Sequence, residues 1–121
     1  MGLDMFLYNN KGREILYWRK AYHIEQWFID NCAGGDRMLT SDGVEVTLTQ
    51  LKELLRIINI VLESRTEDCS QNYLPCYSEE YEDFYYDTLE HTKKILEKEL
   101  KDKTELDIVF EDIKYTYNAS W

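Results

Sequence analysis

Residues 48–64 contain the most regular apolar pattern in the chain, and this pattern limits the folds that the chain can form. Leucine, isoleucine or valine recurs every three or four residues, at positions 48, 51, 54, 55, 58, 61 and 62. Thr47 and Gln50 fit a capping box, a motif in which each side chain bonds the backbone N–H of the other residue. The pattern predicts an amphipathic helix over 48–64 whose apolar side must be covered. We expect this side to contribute the core residues Leu54, Leu55, Ile58 and Leu62.

Aromatic and aliphatic residues also cluster towards both ends of the sequence. Leu3–Tyr8 is a short apolar and aromatic run that ends at an Asn-Asn-Lys-Gly turn cluster, which is typical of a β-strand. Residues 106–110 and 113–117 have similar compositions and predict one or two further strands. Because a short strand cannot bury its apolar face alone, we expect Leu3–Tyr8 and Ile113–Tyr117 to be neighbours in one sheet.

Two other segments show helical spacing. Residues 14–32 have apolar side chains at 17, 18, 21, 24 and 28, and Gly34 and Gly35 follow, as expected beyond a helix end. Residues 79–101 predict a helix capped by Ser78, with acids in its first turns and lysines in its last turns, as the helix dipole favours. Its inner side is predicted to contain Tyr81, Tyr85, Thr88 or Leu89, Thr92, Leu96 and Leu100. Residues 36–46 predict a short strand or extended loop, and residues 65–78 predict a loop.

These elements predict one α+β domain over 1–121, with a small antiparallel sheet formed by the N- and C-terminal strands and packed against about three helices. A chain of 121 residues has room for a single core. It contains no run of about 20 apolar residues and no secretory pattern at its N-terminus. The three cysteines suit a reducing compartment. We therefore expect a cytoplasmic protein that does not associate with a membrane.

The charges are distributed unevenly along the chain. Residues 1–60 carry eight acids and seven bases, whereas residues 61–121 carry sixteen acids and seven bases, which gives a net charge of −10. This charge argues against direct binding to nucleic acid, which requires basic surface. No lysine or arginine lies between Arg65 and Lys93. One interpretation is a solvated acidic face; the other is a surface for a basic partner, with tyrosines as contact area. The second interpretation selects Glu79, Glu80, Glu82, Asp83, Asp87 and Glu90, together with Tyr77, Tyr81 and Tyr86.

Residues with catalytic or ligand-binding potential are few. Arg19, His23 and Trp27 are spaced i, i+4 and i+8, so on a helix they share one face, where they would hold a phosphate or a nucleobase. The alternative is an amphipathic row on the flank of the helix. His91 near Asp87 is interpreted as part of a surface ion pair. Neither the cysteine spacing nor any glycine-rich motif predicts a metal or phosphate site. We expect no enzymatic activity, no metal and no cofactor.

The N-terminal half also carries a more specific pattern. The chain begins MGLDMFLY and continues with YWRKA at 17–21, His23, Trp27-Phe28 and Asn31. These residues resemble a family of small bacteriophage and prophage proteins that begin MGLDMYLY and continue with YWRKAN-x-IH-x-WF. Similar residues recur to the closing Ser120-Trp121, but the Phe- and Gly-rich stretch that often follows Pro75 in the family is missing here. The resemblance implies a phage origin rather than a particular chemistry.

Two functions of different classes follow, with an enzyme of unknown reaction as a third. The first is a phage-encoded, anti-defence inhibitor that acts in the cytoplasm of the infected bacterium. By nucleic-acid mimicry it would occupy a basic groove of a host defence protein, such as a CRISPR effector nuclease. The second is a protein that sequesters a nucleotide signal in a pocket containing Arg19, His23 and Trp27. A nucleotide pocket requires a local positive patch, whereas a mimic requires an uninterrupted negative one.

Overall fold

The computed structural model describes residues 3–75, 82–101 and 114–120. Within these ranges the strands are β1 (Asp4–Tyr8), β2 (Glu14–Arg19), β3 (Val44–Thr47) and β4 (Lys114–Ser120). The helices are α1 (Tyr22–Cys32), α2 (Arg37–Asp42), α3 (Leu48–Ser64), α4 (Glu67–Tyr73) and α5 (Asp83–Leu100). The α+β prediction is confirmed, although two short helices, α2 and α4, join the three that the sequence predicts.

The strands form one antiparallel sheet in the order β2-β1-β4-β3. β1 and β4 are its central strands, and their register places Asp4 opposite Ser120 and Tyr8 opposite Thr116. The predicted pairing of the N- and C-terminal strands is therefore confirmed. β1 also pairs with β2 across a short turn, in which the Asn9 side chain accepts hydrogen bonds from the backbone N–H groups of Lys11 and Arg13.

Side chains alternate between the two faces of this sheet, as strand geometry requires. The face towards the helices, called the inner face, carries only buried apolar side chains along the two central strands. On β1 and β4 these are Met5, Leu7, Tyr115, Tyr117 and Ala119. Residues between them point to the opposite, outer face, where they are exposed or half-buried.

The helices pack on the inner face through aromatic and aliphatic contacts. The ring of Phe28 in α1 stacks on the ring of Tyr117, with centroids 3.9 Å apart and planes inclined by 9°. α5 meets β2, and α3 packs alongside α5. The boundaries and the capping box of α3 are as predicted, and Leu54 and Ile58 are fully buried. Leu55 and Leu62 are half-buried against the same core.

The prediction of one helix over 14–32 is wrong in its first part. Residues 14–19 form strand β2, and the helix begins only at Tyr22. The side chains of Leu16 and Trp18 point inwards and that of Tyr17 points outwards, which is the alternation of a strand. The tight turn after β1 brings this segment back beside β1, and the two pair as a hairpin. Lys20 adopts a left-handed conformation (φ 54°), which separates the strand from α1.

The short helices correct two further predictions. The short strand predicted within 36–46 is present as β3, but residues 37–42 before it form α2, capped by Asp36. Residues 67–73 of the predicted loop form α4, capped by Thr66. α5 begins at Asp83 rather than at residue 79. Ser78, Tyr81 and the proposed strand at 106–110 lie outside the described residues. The remaining predicted inner positions of α5 are confirmed, with Leu89 rather than Thr88 buried: Tyr85, Leu89, Thr92, Leu96 and Leu100.

Candidate functional site

The acidic segment reaches the surface at the start of α5. Glu82 precedes the helix as its N-cap, and Asp83, Asp87 and Glu90 follow at spacings of four and three residues, so that they share one side of the helix. All four residues are exposed. Of the other predicted contact residues, Glu79, Glu80, Tyr77 and Tyr81 lie outside the described residues.

Tyr86, predicted as exposed contact area, lies instead in the interior. Its side chain is only 9% exposed, and its hydroxyl group is 3.0 Å from the hydroxyl group of Ser70 in α4. The neighbouring Tyr85 is fully buried and donates a 2.7 Å hydrogen bond to the carbonyl oxygen of Leu74. These two tyrosines connect α5 to α4, because their buried side chains bond Ser70 within α4 and Leu74 at its end.

α4 adds two acids to this surface. The contacts of α5 with the 65–74 segment join Arg65 to Glu90, Ser70 to Tyr86, and Leu74 to Tyr85, so the two segments run in opposite directions. The exposed Glu67 and Asp68 belong to the first turn of α4 and follow Arg65, the partner of Glu90, by two and three residues. We call this surface the acidic patch: Glu67, Asp68, Glu82, Asp83, Asp87 and Glu90.

One cation interrupts the acidic patch, although the sequence shows none between Arg65 and Lys93. Arg65 ends α3 in a left-handed conformation (φ 53°). Its guanidinium group forms an ion pair with Glu90 and lies 5.5 Å from the ring centre of Tyr86. Both charged side chains are about half exposed, so the pair remains within reach of a partner. The charge of Glu90 is therefore partly compensated by a residue 25 positions away.

The predicted helix face that would bring Arg19, His23 and Trp27 together as an alternative ligand pocket does not form. Arg19 is an exposed residue of strand β2. His23 and Trp27 lie in α1 and are 1% and 6% exposed. Helical spacing cannot relate Arg19 to the other two residues, since the helix begins three residues after it.

His23 is also unsuited to binding a phosphate. Burial lowers the pKa of its imidazole to about 3, although the nearby Tyr85 backbone opposes part of this shift, so the ring is neutral at pH 7. The ring lies against the Tyr85 ring with centroids 4.3 Å apart. Neither ring nitrogen of His23, nor Nε1 of Trp27, makes a hydrogen bond of normal geometry. Both residues are therefore part of the core. His91, which the sequence assigns to a surface ion pair near Asp87, is exposed on α5.

Glu25 forms a buried polar network that the sequence pattern did not reveal. It is 2% exposed, and its two carboxylate oxygens accept hydrogen bonds from Tyr117 in β4 and, at 3.0 Å, from Thr40 in α2. Burial raises the pKa of Glu25, and the two hydrogen bonds and Arg37 oppose this effect. Burial and the neighbouring Glu25 raise the pKa of Tyr117, which keeps its hydroxyl group as a donor. The network joins α1, α2 and β4.

The cysteine environment offers no activated nucleophile at Cys32. Burial raises the pKa of its thiol to about 12, so the side chain is protonated and poorly reactive at neutral pH. In residues 3–75, 82–101 and 114–120, no group of three or more histidine, cysteine or acidic side chains is placed to hold a metal ion. Among the same residues, no helix has both the length and the apolar character needed to cross a membrane.

A shallow cleft of about 640 Å³ separates α3 from α5. Its charged groups are balanced, because Arg65 pairs with Glu90, and Lys93 lies 3.7 Å from Glu97. The lining residues are Asn59, Leu62, Glu63, Arg65, Glu90, Lys93, Lys94 and Glu97. This cleft marks the boundary at which the acidic patch gives way to the lysine-rich part of α5.

The chain was compared with known families, proteins and structures. No protein-family model, curated protein or solved structure matches the chain.

Proposed function

We propose that this chain is a phage-encoded inhibitor that binds a basic, nucleic-acid-binding groove of a host defence protein in the bacterial cytoplasm. The acidic patch is its contact surface, and its carboxylates occupy positions that phosphates otherwise take. A CRISPR effector nuclease, whose channel is lined with basic side chains, is the kind of partner that this surface fits. The resemblance of the N-terminal block to small phage and prophage proteins supports the phage origin.

The observation that carries the proposal is the rigid presentation of exposed carboxylates at the start of α5. Asp83 and Asp87 are one helical turn apart, about 6 Å along the axis at 1.5 Å per residue. The buried rings of Tyr85 and Tyr86 fix the helix beneath them. A partner therefore meets charges that are already positioned, which reduces the entropy lost on binding.

Arg65 has a specific place in this proposal. It compensates Glu90 at one end of the acidic patch. Asp83 and Asp87 remain uncompensated by it, about three turns and just under two turns of helix before Lys93, the first lysine of α5. The inhibitor would thus present a bounded negative surface of a few charges. Complementary fields of this kind increase the association rate and fix the orientation of the partner.

The test starts with capture of the binding partner from a lysate of the host, with and without an excess of competing duplex DNA. We expect a nucleic-acid-binding defence protein that DNA displaces. Binding of the purified partner should then be measured with Glu82, Asp83 and Asp87 all changed to Lys, which we expect to abolish the complex. A partner that stays bound in excess DNA and tolerates this variant would contradict the proposal.

A matched control separates the position of the charges from their number. Glu14, Asp30 and Asp42 are exposed acids outside the acidic patch. Changing these three to Lys alters the net charge by the same amount as the patch variant. We expect the control variant to keep most of its binding, because a field effect of the acidic patch depends on where the carboxylates lie.

A nucleotide-binding function is the second candidate, and the cleft between α3 and α5 is the observation that favours it. Lys94 lines this cleft and is exposed, beside the ion pairs of Arg65 and Lys93. If the chain binds a nucleotide signal there, Lys94→Ala would abolish its activity, whereas the triple change at Glu82, Asp83 and Asp87 would have little effect. The opposite ranking is expected from the inhibitor proposal.

A further inference from the structure

The outer face of the sheet carries an aromatic cluster where a solvent-facing sheet surface usually carries polar side chains. Phe6 lies in the central strand β1, with its ring centre 5.3 Å from that of Tyr17 in β2 and 6.1 Å from that of Tyr8. Tyr17 is 43% exposed, and Phe6 and Tyr8 are half-buried. The helices α1 and α5 pack on the inner face of the same strands. The aromatic cluster on the outer face therefore does not contribute to their packing.

The hairpin that presents these rings is basic, in contrast to the rest of the protein. Residues 3–21 contain four bases and two acids, a net charge of +2, whereas the whole chain carries −10. The bases Lys11, Arg13, Arg19 and Lys20 are all exposed. One of the two acids, Asp4, accepts a 2.6 Å hydrogen bond from the hydroxyl group of Tyr17.

Charged side chains and exposed rings meet on the outer face of the β1–β2 pair, where Arg19 lies opposite Asp4. Arg19 follows Tyr17 by two residues in β2, so both side chains point to the outer face. Polar side chains adjoin them on β4, where Asn118 lies opposite Phe6 and donates a hydrogen bond to the carbonyl oxygen of Ser41.

We propose that the outer face of the sheet binds single-stranded nucleic acid through the rings of Phe6, Tyr8 and Tyr17 and the cations of the β1–β2 hairpin. Unpaired bases stack on exposed aromatic rings, while the phosphates follow basic side chains. A flat, open face suits an extended strand that contacts several rings, rather than a small ligand that needs an enclosing pocket.

The net charge of the chain does not exclude this binding, because the charges are segregated. The acidic patch belongs to α4 and α5, on the side of the sheet opposite to the rings, and α5 contacts the inner face of β2. Exposed charges beyond about 10 Å are largely screened at 0.1 M salt. We therefore expect weak binding, in the range of about 10⁻⁴ to 10⁻⁵ M, that depends on salt. This proposal is independent of the inhibitor function.

The probe for this surface is a fluorescein-labelled oligothymidylate of about 10 nucleotides, within the length that one small domain covers. Its anisotropy is measured against increasing protein in about 0.05 M salt, conditions that favour phosphate contacts. We expect saturable binding that is tighter for the single strand than for a duplex of the same length. No change in anisotropy up to about 1 mM protein would overturn the proposal, given the affinities typical of non-specific binding.

Aromatic variants test the role of the rings. Tyr17→Ala should weaken binding by about fivefold or more, the usual effect of losing a base–aromatic stack. Tyr17→Phe keeps the ring and should keep the affinity. Tyr73→Ala is the matched control, because Tyr73 is 42% exposed but lies on α4. Equal losses for Tyr17→Ala and Tyr73→Ala would contradict a specific platform, as would equal binding of thymidine monophosphate and the oligomer.

Charge variants provide an independent measurement, because they leave the aromatic cluster of Phe6, Tyr8 and Tyr17 unchanged. The logarithm of the binding constant should fall with the logarithm of the salt concentration with a slope of about −3, for one phosphate neutralised by each of the four hairpin bases at roughly −0.7 each. Arg19→Gln should reduce this slope by about 0.7. Arg56→Gln, on α3, changes the net charge equally and should leave the slope unchanged. A slope that does not respond to Arg19→Gln would remove this residue from the proposed surface.

Discussion

The indole Nε1–H of Trp18 donates a 2.7 Å hydrogen bond to the hydroxyl oxygen of Thr92 inside the core. Trp18 belongs to strand β2 and Thr92 to α5, so the bond joins elements that are 74 residues apart in the chain. The Thr92 hydroxyl in turn donates to the carbonyl oxygen of Thr88 at 2.7 Å. The helix that presents the acidic patch is thereby fixed to the sheet by a directed polar contact as well as by apolar packing.

Thr92→Val should destabilise the protein by about 1–3 kcal/mol. Valine has nearly the same shape, but it leaves the buried Nε1–H of Trp18 without an acceptor, and an unsatisfied buried donor carries this cost. Urea denaturation followed by far-UV circular dichroism measures the change. Thr88→Val is the control, because the Thr88 hydroxyl donates to the Phe84 carbonyl oxygen within its own helix. A control variant as unstable as Thr92→Val would mean that the Trp18 bond contributes little.

Two adjacent isoleucines of α3 offer a test of the core assignment. Ile58 is fully buried, whereas Ile57 is half-buried at the edge of the core. Ile58→Ala should lower the free energy of unfolding by about 2–5 kcal/mol, because it removes apolar contacts and leaves a cavity. Ile57→Ala should cost clearly less. Similar losses for the two variants, in the same urea titration, would show that α3 faces the core differently.

Much of this fold follows from patterns that are local in the sequence. The capping box at Thr47 and the regular apolar spacing after it define α3 completely, since both features act within a few turns of one helix. β2 was missed because its apolar residues, read together with those of α1, also fit helical spacing. Strand pairing with β1 decides the conformation of residues 14–19, and that contact is absent from a one-dimensional pattern. The helices α2 and α4 are too short to show a period.

The candidate site was harder to predict than the fold. The sequence identified the exposed carboxylates of α5 but treated Tyr86 as part of the same surface, since it cannot show which side of a helix faces α4. The pairing of Arg65 with Glu90 requires α3 and α5 to be neighbours, which only the tertiary structure provides. The spacing of Arg19, His23 and Trp27 was meaningful only on a continuous helix, and β2 ends at Arg19.

The stability of the protein should depend on pH through Glu25. The pKa of this buried carboxyl is raised in the folded state above its ordinary value of 4.5. The folded protein therefore binds the proton more tightly than the unfolded chain does. The contribution of Glu25 to stability is complete below about pH 4.5 and is lost as the pH rises through the folded pKa.

Glu25→Gln isolates this effect, because glutamine has nearly the same shape and does not ionise. We expect the stability of the variant relative to the unmodified protein to increase as the pH rises from about 4 to 7. Urea denaturation at several pH values measures both proteins, and other carboxyl groups cancel in the difference. Asp30→Asn, which removes an exposed acid from the same helix, is measured in parallel. Parallel profiles for Glu25→Gln would show that the buried carboxyl has an ordinary pKa.

Arg65 provides a sharp test of the inhibitor proposal, because here the removal of a side chain should improve binding. Arg65→Gln eliminates the cation that pairs with Glu90 and makes the acidic patch more negative. If the patch is recognised by a basic groove, the association rate with the captured partner should increase several-fold at low salt, and the gain should diminish as salt is added.

Arg56→Gln is the control for this measurement, since it changes the net charge equally. Arg56 is exposed on α3 and pairs with Glu53 rather than with a residue of the acidic patch. Stopped-flow association rates for the two variants should therefore differ, with Arg56→Gln close to the unmodified protein. Urea denaturation must show that both remain folded, because Arg65 also ends α3 and contacts the Tyr86 ring. A slower association of Arg65→Gln, with its stability intact, would assign Arg65 to the contact itself and reject a purely negative surface.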